Sequence, residues 1–469
     1  MQNTADEAIA QKMRTENLSE ELIGDFLSKV ERVRQGEKGK VDWNHVHDLN
    51  PAEDEVSLEE IQEKYPAKKE NLAKLAVIKL NGGLGTSMGL SQAKSLIPVK
   101  DNLSFLEIIL KQIEYVRKKY SVEVPLILMD SFNTQKDCQA LLAKVGFQQK
   151  LATSFLQNKV PRLLKDSYFP LSSDNPKDEW CPPGHGDIYL SLKETGILQS
   201  LLDQGYEYAF ISNGDNLGAT PEASILEYLL AQGLDFAMEM TPKTLADTKG
   251  GAIYRKTVDG KFLGLELLET AQVPTEFEHE FSGMGKFRTF STNNLWVNLK
   301  TLQEKLSQGP LQLSLIVNPK NVAGKDVIQL ETAMGSAIRS FQKTKGIIIP
   351  RTRFAPVKKC EDILIRRSDS YLLNEDYSLS VNPKRKELGL EENLVSLDSQ
   401  FYKKIGDFEE RFLIYPSLLE CRSFKVVGEV IFDIIIKTKG DVIFENKTGK
   451  AQKVSSLQKT EFADETVHF

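Results

Sequence analysis

The sequence has few cysteines and no pattern that would use them. Its 469 residues include four cysteines, and no two of them form a C-x-x-C pair. The five histidines contain no H-E-x-x-H motif. We therefore expect neither a zinc site nor a disulfide framework, and a cytoplasmic location fits this cysteine usage.

Long apolar runs and an excess of positive charge are also missing. No apolar stretch approaches the roughly 20 residues that span a membrane. The first twenty residues are polar and mixed in charge, so we expect no signal peptide. The 60 Lys and Arg against 66 Asp and Glu give a net charge of −6, which argues against a nucleic-acid-binding surface. A few well-placed lysines can still hold an anionic small molecule.

The order of sequence patterns indicates three regions. The first seventy residues have a helical pattern, with Ser19 and Ser57 as predicted helix starts. From Leu75 onward, apolar strands alternate with helices, which predicts a mainly parallel sheet. The polar segment 382–391 is a predicted linker. The predicted domains are an N-terminal helical segment (1–74), a central α/β domain (75–385) and a C-terminal domain (386–469).

The C-terminal region contains a short internal repeat. The segment Gly428-Glu-Val-Ile-Phe432 recurs twelve residues later as Gly440-Asp-Val-Ile-Phe444. Short β-rich runs with glycine turns at a fixed period favour a β-solenoid, and a plain antiparallel sheet is the alternative.

The densest motif follows the first predicted strand of the sheet. The residues from Leu80 to Ser95 read LNGGLGTSMGLSQAKS, with four glycines within eight residues. Closely spaced glycines let backbone N–H groups face an anion, and Lys94 can add a full positive charge. Neither the P-loop pattern nor the dinucleotide fingerprint G-x-G-x-x-G fits this segment. We interpret it as a ligand-binding turn for a phosphate chain.

Three further motifs place polar residues in turns. His185 lies between two glycines in a proline-stiffened loop. Asp215 follows an apolar strand and suits a magnesium ion shared with phosphate oxygens, although a turn closed by Asn and Asp side chains is the alternative. Arg351 to Lys359 carries four cations, of which Lys358 or Lys359 can face a phosphate. A solvated charged surface is the alternative there.

Taken together, these motifs resemble the eukaryotic-type UTP–glucose-1-phosphate uridylyltransferases. They run in family order from about Leu75 onward and are specific as a set. The matching stretches are Lys79–Gly89, Pro182–Asp187, Ser212–Ala219, Lys249–Gly251, Leu267–Pro274, Thr292–Asn298 and Arg351–Lys358. One departure lies at Gln92-Ala-Lys-Ser95, where the family usually has Gly-Pro-Lys-Ser.

The resemblance implies a fold and an activity. The implied α/β fold has a Rossmann-like nucleotidyltransferase domain with a mixed, mainly parallel sheet, an N-terminal helical segment and a C-terminal left-handed β-helix. The implied reaction forms UDP-glucose and pyrophosphate from UTP and glucose 1-phosphate, reversibly and with Mg²⁺. No nucleic acid or membrane is implied as a partner, and the oligomeric state stays open, a monomer included.

The resemblance also implies roles for individual residues. The implied nucleotide-binding residues are Leu80, Asn81, Gly82, Gly83, Gln157 and Gly184. The implied sugar-binding residues are His185, Asn213, Glu269 and Asn293. The implied catalytic residues are Lys94, Lys358 and Asp215, with Asp215 also the metal ligand.

Three other functions remain open at this point. A uridylyltransferase for N-acetylhexosamine or several sugar 1-phosphates would share the motifs, because hydroxyl-level choice depends on pocket contacts. A nicotinamide-dependent oxidoreductase would use the imperfect glycine fingerprint. A non-catalytic nucleotide-sugar sensor would keep the fold and bind UTP without releasing pyrophosphate.

Overall fold

The computed structural model of the chain describes residues 2–85, 88–243, 250–283 and 285–469. Lys249 of the Lys249–Gly251 motif lies outside the described residues, as do Thr86 and Ser87 of the glycine-rich motif. Within the described ranges, no helix has the length and apolar character needed to cross a bilayer.

Helices and strands alternate along most of the chain. The helices are α1 (Gln2–Thr15), α2 (Glu20–Arg34), α3 (Pro51–Asp54), α4 (Leu58–Lys64), α5 (Lys69–Leu72), α6 (Phe105–Tyr120), α7 (Gln135–Val145), α8 (Ile188–Glu194), α9 (Ile197–Asp203), α10 (Ala223–Gln232), α11 (Glu278–Ser282), α12 (Leu299–Leu306), α13 (Cys360–Arg367), α14 (Pro383–Glu387), α15 (Ser399–Tyr402) and α16 (Ile405–Arg411). The strands are β1 (Val46–His47), β2 (Glu55–Ser57), β3 (Leu75–Leu80), β4 (Pro98–Lys100), β5 (Leu103–Ser104), β6 (Leu126–Asp130), β7 (Ser154–Leu156), β8 (Val160–Pro161), β9 (Leu163–Leu164), β10 (Trp180–Cys181), β11 (Tyr208–Asn213), β12 (Phe236–Pro242), β13 (Ala252–Val258), β14 (Lys261–Leu268), β15 (Thr289–Asn298), β16 (Leu315–Val322), β17 (Lys325–Thr332), β18 (Thr344–Ile348), β19 (Tyr371–Leu373), β20 (Leu379–Val381), β21 (Leu394–Leu397), β22 (Ser417–Val427), β23 (Val430–Ile431), β24 (Lys437–Glu445), β25 (Gln452–Lys453) and β26 (Glu461–His468).

An eight-stranded mixed sheet forms the centre of the fold, in the order β2-β18-β12-β15-β11-β3-β6-β7. Strand β15 runs antiparallel to both of its neighbours, and the other neighbouring strands pair in parallel. Apolar side chains from the two faces of this sheet enter two separate clusters of buried residues. Burial on both faces explains why β3 is apolar at every position except Lys79. The predicted α/β architecture with a mainly parallel sheet is confirmed.

The N-terminal region contributes helices and also a strand. Ser19 and Ser57 cap their helices as predicted, with Oγ of Ser19 accepting from the N–H of Leu22 at 3.0 Å and Oγ of Ser57 from that of Glu60 at 3.1 Å. Strand β2 pairs in parallel with β18 at one edge of the central sheet. The N-terminal segment is therefore not purely helical, because it supplies an edge strand to the catalytic sheet.

The C-terminal region is built from parallel strands. Strands β21, β22, β24 and β26 form one parallel sheet, and β23 pairs in parallel with β25. The antiparallel alternative is therefore wrong. The twelve-residue repeat is not the structural period, because Phe424 pairs with Val442 whereas Val430 pairs with Gln452. The two copies of the repeat thus lie in different sheets.

The predicted linker 382–391 includes helix α14 and is packed against the C-terminal sheet. The Arg385 side chain is only 1% exposed. Its guanidinium donates to the carbonyl oxygens of Leu418 and Leu419, at 2.8 and 2.9 Å. Buried backbone carbonyls need such partners, so this arginine ties the end of one region to the first long strand of the next.

Candidate active site

Three parallel strands end side by side at the candidate site. Leu80, the last residue of β3, pairs with Asn213 of β11 on one side and with Met129 of β6 on the other. The N–H of Gly214 donates to the carbonyl oxygen of Leu80 at 2.9 Å, and that of Asn81 to Met129 at 2.8 Å. The turns after β3 and β11 are therefore adjacent, at the edge where parallel α/β sheets bind ligands.

The side chain of Asn81 is used inside the protein. It is 5% exposed, and its amide donates to Oδ1 of Asp130 at 2.6 Å and to Sγ of Cys138 at 2.9 Å. Burial raises the pKa of Asp130 to about 6, and the bond from Asn81 opposes that rise. Asn81 can therefore meet a ligand through its backbone, while its amide holds the ends of β3 and β6 together.

Gly82 and Gln157 lie in direct contact. A Cβ atom at Gly82 would stand 2.7 Å from Nε2 of Gln157, so a larger residue at position 82 would push the Gln157 amide aside. The N–H of Gln157 donates to the carbonyl oxygen of Asp130 at 2.8 Å. The predicted loop Leu80 to Gly83 and the predicted glutamine are thus brought to one place. Among the described residues, the Gln157 amide has no hydrogen-bond partner and is available to a ligand.

The loop of Gly184 and His185 packs against the end of β17. Gly184 has a φ of +83°, and a Cβ atom there would overlap the backbone of Thr332. Nδ1 of His185 accepts from the N–H of Met334 at 3.0 Å, which assigns the proton of the neutral ring to Nε2. Burial lowers the pKa of His185 to about 4. At neutral pH, His185 is therefore an uncharged donor through Nε2.

A buried carboxylate that the sequence analysis missed joins this loop to Gln157. Asp187 accepts from the N–H of Asn158 at 2.6 Å and from Oγ of Ser191 at 2.5 Å. Burial raises the pKa of Asp187, and these two bonds oppose the rise. Because Asn158 follows Gln157 directly, Asp187 fixes the glutamine relative to His185. The signal available in the sequence was the Asp at the end of the P-P-G-H-G-D motif.

Lys94 and Asp215 form an ion pair across the site. Lys94 lies in a short 3₁₀ helix after the glycine-rich segment, and its N–H donates to the carbonyl oxygen of Gly83 at 3.2 Å. Ala93, where the family usually has proline, has a φ of −58°. That angle lies in the range that a proline ring imposes. The backbone before Lys94 therefore has the conformation that a proline would give, although the proline is absent.

The segment before Lys358 is attached to the turn that carries Asp215. Pro356 forms a β-bridge with Asn216, and Oδ1 of Asn216 accepts from the N–H of Ala355 at 3.0 Å. Lys358 and Lys359 are both exposed. Burial raises the pKa of Glu269, and the positive charge of Lys358 opposes this rise. Lys358 is therefore close enough to Glu269 to affect it electrostatically.

Glu269 and the strand that carries Asn293 both contact Gly251. The register of β12 and β15 shifts between Glu239 and Met240, which places Asn293 in a bulge with a φ of +60°. Bulges of this kind re-aim a side chain, and Asn tolerates the left-handed conformation. The N–H of Ser291 donates to the carbonyl oxygen of Gly251 at 2.6 Å, and the carboxylate of Glu269 lies against Gly251.

Behind the site lies a buried ion pair that sequence reasoning did not identify. Arg353 donates from Nη2 to Oε1 of Glu239 at 2.7 Å and from Nε to Oε2 at 3.1 Å. Trp296 and Asn294 donate to the same carboxylate at 3.0 and 2.9 Å. The signal was a single acidic residue within the apolar strand β12. The cation cluster around residue 351 is thus divided between a buried Arg353 and exposed lysines.

The fold and the site define a nucleotidyltransferase of the α/β class, because a glycine-rich turn, a lysine and an aspartate meet at the ends of parallel strands. The sequence model of the UTP–glucose-1-phosphate uridylyltransferase family matches residues 23–439. The chain belongs to this family.

Relatives and solved structures agree with this membership. The chain is 42% identical over 438 residues to the UTP–glucose-1-phosphate uridylyltransferase of Hordeum vulgare, covering 92% of this chain and 90% of the relative. It is 42% identical over 432 residues to that of Saccharomyces cerevisiae, covering 90% and 84%. A mutant of the Leishmania major UDP-glucose pyrophosphorylase, solved in complex with UDP-glucose, superposes with a TM-score of 0.89 at 36% identity over 99% of both chains. None of these names a nicotinamide enzyme or an N-acetylhexosamine substrate.

Proposed function

We propose that this chain forms UDP-glucose and pyrophosphate from UTP and glucose 1-phosphate, and that it catalyses the reverse reaction. The observation that carries the proposal is the ion pair of Lys94 and Asp215, set at the strand ends beside the contact of Gly82 with Gln157. A cation and a carboxylate beside a glycine-rich loop support a site for a nucleotide and its phosphates. Family membership supplies the identity of the two substrates.

The nucleotide-binding part of the proposal uses Leu80, Asn81, Gly82, Gly83, Gln157 and Gly184. The amide of Gln157 has both a donor and an acceptor, which suits the edge of a uracil ring. The backbone beyond Leu80 carries no bulky side chain at Gly82 and Gly83, so it can approach the ribose closely. Asp187 supports this half of the site, because it fixes Asn158 and with it Gln157.

The sugar-binding part uses His185, Asn213, Glu269 and Asn293. The side-chain amides of Asn213 and Asn293 make no hydrogen bond to other described residues, so both can serve sugar hydroxyls. Glu269 is an acceptor for hydroxyl protons. The neutral ring of His185 adds a donor without adding charge next to the sugar phosphate.

The reaction itself needs positioning and charge stabilisation. A phosphate oxygen of glucose 1-phosphate attacks the α-phosphorus of UTP in line, the new P–O bond forms, and the bond to the leaving pyrophosphate breaks. The attacking oxygen is already ionised, so no general base is required. Lys94 and Lys358 would hold the two anions together and stabilise the charge that moves onto the pyrophosphate.

We propose Mg²⁺ as the cofactor, with Asp215 as its protein ligand. Within the described residues, no group of three or more His, Cys, Asp or Glu side chains could hold a metal ion by itself. A single carboxylate completed by substrate phosphates is a normal arrangement for Mg²⁺, so Asp215 fits. Its Oδ2 atom accepts from Lys94, which leaves Oδ1 for the ion. When bound, Mg²⁺ neutralises phosphate charge.

Pyrophosphate release from a panel of sugar 1-phosphates tests the function. The protein is incubated with UTP and glucose 1-phosphate, N-acetylglucosamine 1-phosphate or galactose 1-phosphate, with Mg²⁺ or with EDTA. We expect rapid release with glucose 1-phosphate and Mg²⁺ and little release with EDTA. Faster turnover of N-acetylglucosamine 1-phosphate would contradict the substrate assignment, and UTP binding without release would identify a sensor.

Two finer features belong to the same proposal. We infer that the C-terminal parallel strands form a left-handed β-helix, which the parallel pairing of β22, β24 and β26 supports and a crystal structure would test. We also infer a cytoplasmic protein, since all four cysteines are free and buried. Cell fractionation tests the location. The oligomeric state stays open, a monomer included, and light scattering would determine it.

A further inference from the structure

A short N-terminal segment packs against the loop that carries Glu269. This strap, residues 39–46, lies beside the loop 269–277, which follows β14. The N–H of Val41 donates to the carbonyl oxygen of Gln272 at 3.0 Å, and Nζ of Lys40 to that of Val273 at 2.7 Å. The Trp43 ring stacks on Phe277, with centroids 4.8 Å apart and planes 5° from parallel. The strap therefore contacts the loop at three points.

Gln272 connects the strap to Glu269. Its side chain is buried, and Oε1 accepts from the backbone N–H of Glu269 at 2.9 Å. Its own carbonyl oxygen accepts from the strap residue Val41. One residue thus contacts the strap through its backbone and the backbone of Glu269 through its side chain. Thr270 adds a bond from Oγ1 to the carbonyl oxygen of Gly250 at 3.2 Å.

Apolar contacts also join the strap to the residues around Glu269. Val46 belongs to a buried cluster together with Leu268, the residue before Glu269, and with Val273. Strand β1, which includes the end of the strap, pairs with β13. The strap is therefore continuous with the small sheet whose last strand, β14, ends one residue before Glu269, whereas Phe26 of α2 packs in a different cluster.

We propose that the strap and Gln272 position the carboxylate of Glu269, so that Gln272 is a positioning residue for recognition of the sugar phosphate. The inference rests on the proposed function, which assigns Glu269 to glucose hydroxyls. A site that recognises a hydroxyl discriminates well only when its hydrogen-bonding group is held in place by supporting residues. The N-terminal region would then set sugar selectivity without touching the sugar.

The first test replaces Gln272 with methionine, which keeps the length and removes the acceptor. Loss of one supporting hydrogen bond should raise KM for glucose 1-phosphate up to about tenfold. KM for UTP should stay within about twofold, because the nucleotide loop is untouched. The ratio of kcat/KM for glucose 1-phosphate over galactose 1-phosphate should fall. Equal losses for both substrates with an unchanged ratio would overturn the proposal, since general structural damage gives that result.

The second test uses the exposed strap residue Lys40, where folding is not at risk. Lys40→Met removes the bond to Val273 and should raise KM for glucose 1-phosphate in the same direction as Gln272→Met, and Lys40→Arg should restore it. Lys38→Met is the matched control, because Lys38 is exposed and makes no hydrogen bond or ion pair among the described residues. Equal KM values for the Lys40→Met and Lys38→Met proteins would show that the strap does not help to position Glu269.

Glu269→Gln separates this inference from the proposed function. If that variant leaves KM for glucose 1-phosphate unchanged, then Glu269 does not bind the sugar and both proposals fail. If Glu269→Gln raises KM while Gln272→Met does not, the proposed function stands and the positioning role of Gln272 is wrong.

Discussion

The ammonium group of Lys94 donates to the carboxylate of Asp215, and this ion pair joins the glycine-rich segment to the turn after β11. The two side chains are 18% and 22% exposed, so a ligand can reach both. A phosphate chain that binds Lys94 must compete with Asp215 for its ammonium group. A cation that binds Asp215 would release Lys94 toward the phosphates. If Asp215 holds the proposed Mg²⁺, binding of phosphate and binding of the metal are coupled through this one contact.

Asp215→Asn should show whether that carboxylate binds the metal or only closes the turn. The substitution keeps the shape and removes the negative charge, so it should lower kcat by on the order of a hundredfold, as loss of a preorganised electrostatic group does. The Mg²⁺ concentration for half-maximal rate should rise. Steady-state rates across a Mg²⁺ titration measure both effects, with the exposed Asp174→Asn as control. If the Asp215→Asn protein keeps the wild-type rate at low Mg²⁺, then Asp215 only closes the turn and does not bind the metal.

Lys358 and Lys359 are neighbours in the sequence, but we expect their replacement by alanine to affect kcat differently. Lys358 acts electrostatically on Glu269, whereas Lys359 has no such partner among the described residues. A lysine that contacts charge developing in the transition state affects kcat more than ground-state binding. Lys358→Ala should therefore lower kcat by about a hundredfold or more at saturating UTP. Lys359→Ala should be nearly silent. Mild and equal effects would show a solvated charged surface, and the reverse order would place Lys359 in the site.

Much of the site follows from local sequence patterns. The glycines after β3 and the turn at Asp215 stand directly behind apolar strands, and parallel strands bring their carboxyl ends to one edge. The contact of Gly82 with Gln157 could not be derived in this way, because the two residues meet only through tertiary packing. For Gln157 the sequence offered a family resemblance and no local pattern.

Buried polar contacts were beyond the reach of sequence reasoning for a physical reason. Whether a cation is exposed or buried depends on the partners that tertiary packing brings to it, and no pattern near Arg353 indicates that Glu239 is its partner. The same holds for Gln272, which acts through one side-chain bond to the backbone of Glu269. The C-terminal repeat was misleading in a different way, since similar sequences at Gly428 and Gly440 occupy unequal structural positions.

Arg353→Met tests the importance of the buried ion pair to stability. Glu239 is fully buried, and the substitution would leave its charge with Trp296 and Asn294 as the remaining donors described above. Removing one partner of a buried pair typically costs about 3 to 5 kcal/mol. The control is Arg422→Met, because Arg422 is 62% exposed and pairs with Asp441 at the surface. That change should cost at most about 1 kcal/mol. Urea unfolding measures both, and equal costs would contradict the structural role of Arg353.

Lys79 is a lysine held almost entirely inside the protein. Its side chain is 2% exposed, and Nζ donates to Oγ of Ser212 at 2.7 Å and to the carbonyl oxygen of Ala219 at 2.6 Å. It thereby ties the two ends of the turn that carries Asp215. Burial lowers the pKa of Lys79 to about 7 and nearby Arg353 adds to this, whereas Asp215 and Glu239 oppose it.

Lys79→Met should therefore change stability in a pH-dependent way. An unfolded lysine has a pKa of about 10.4, so above pH 7 the unfolded chain binds more protons at this position than the folded chain. The unfolding free energy of the wild type should then rise with pH through this window, by at most about 1.4 kcal/mol per pH unit from this group. The Lys79→Met protein lacks this dependence on pH. The unfolding free energy of the wild type minus that of the variant, measured by urea unfolding, should therefore be larger at about pH 9.5 than at about pH 7.5. Lys69→Met, at an exposed lysine, serves as the control for general effects of pH. An advantage that is equal at the two pH values would mean that Lys79 keeps its proton in the folded protein, and that its hydrogen bonds outweigh its burial.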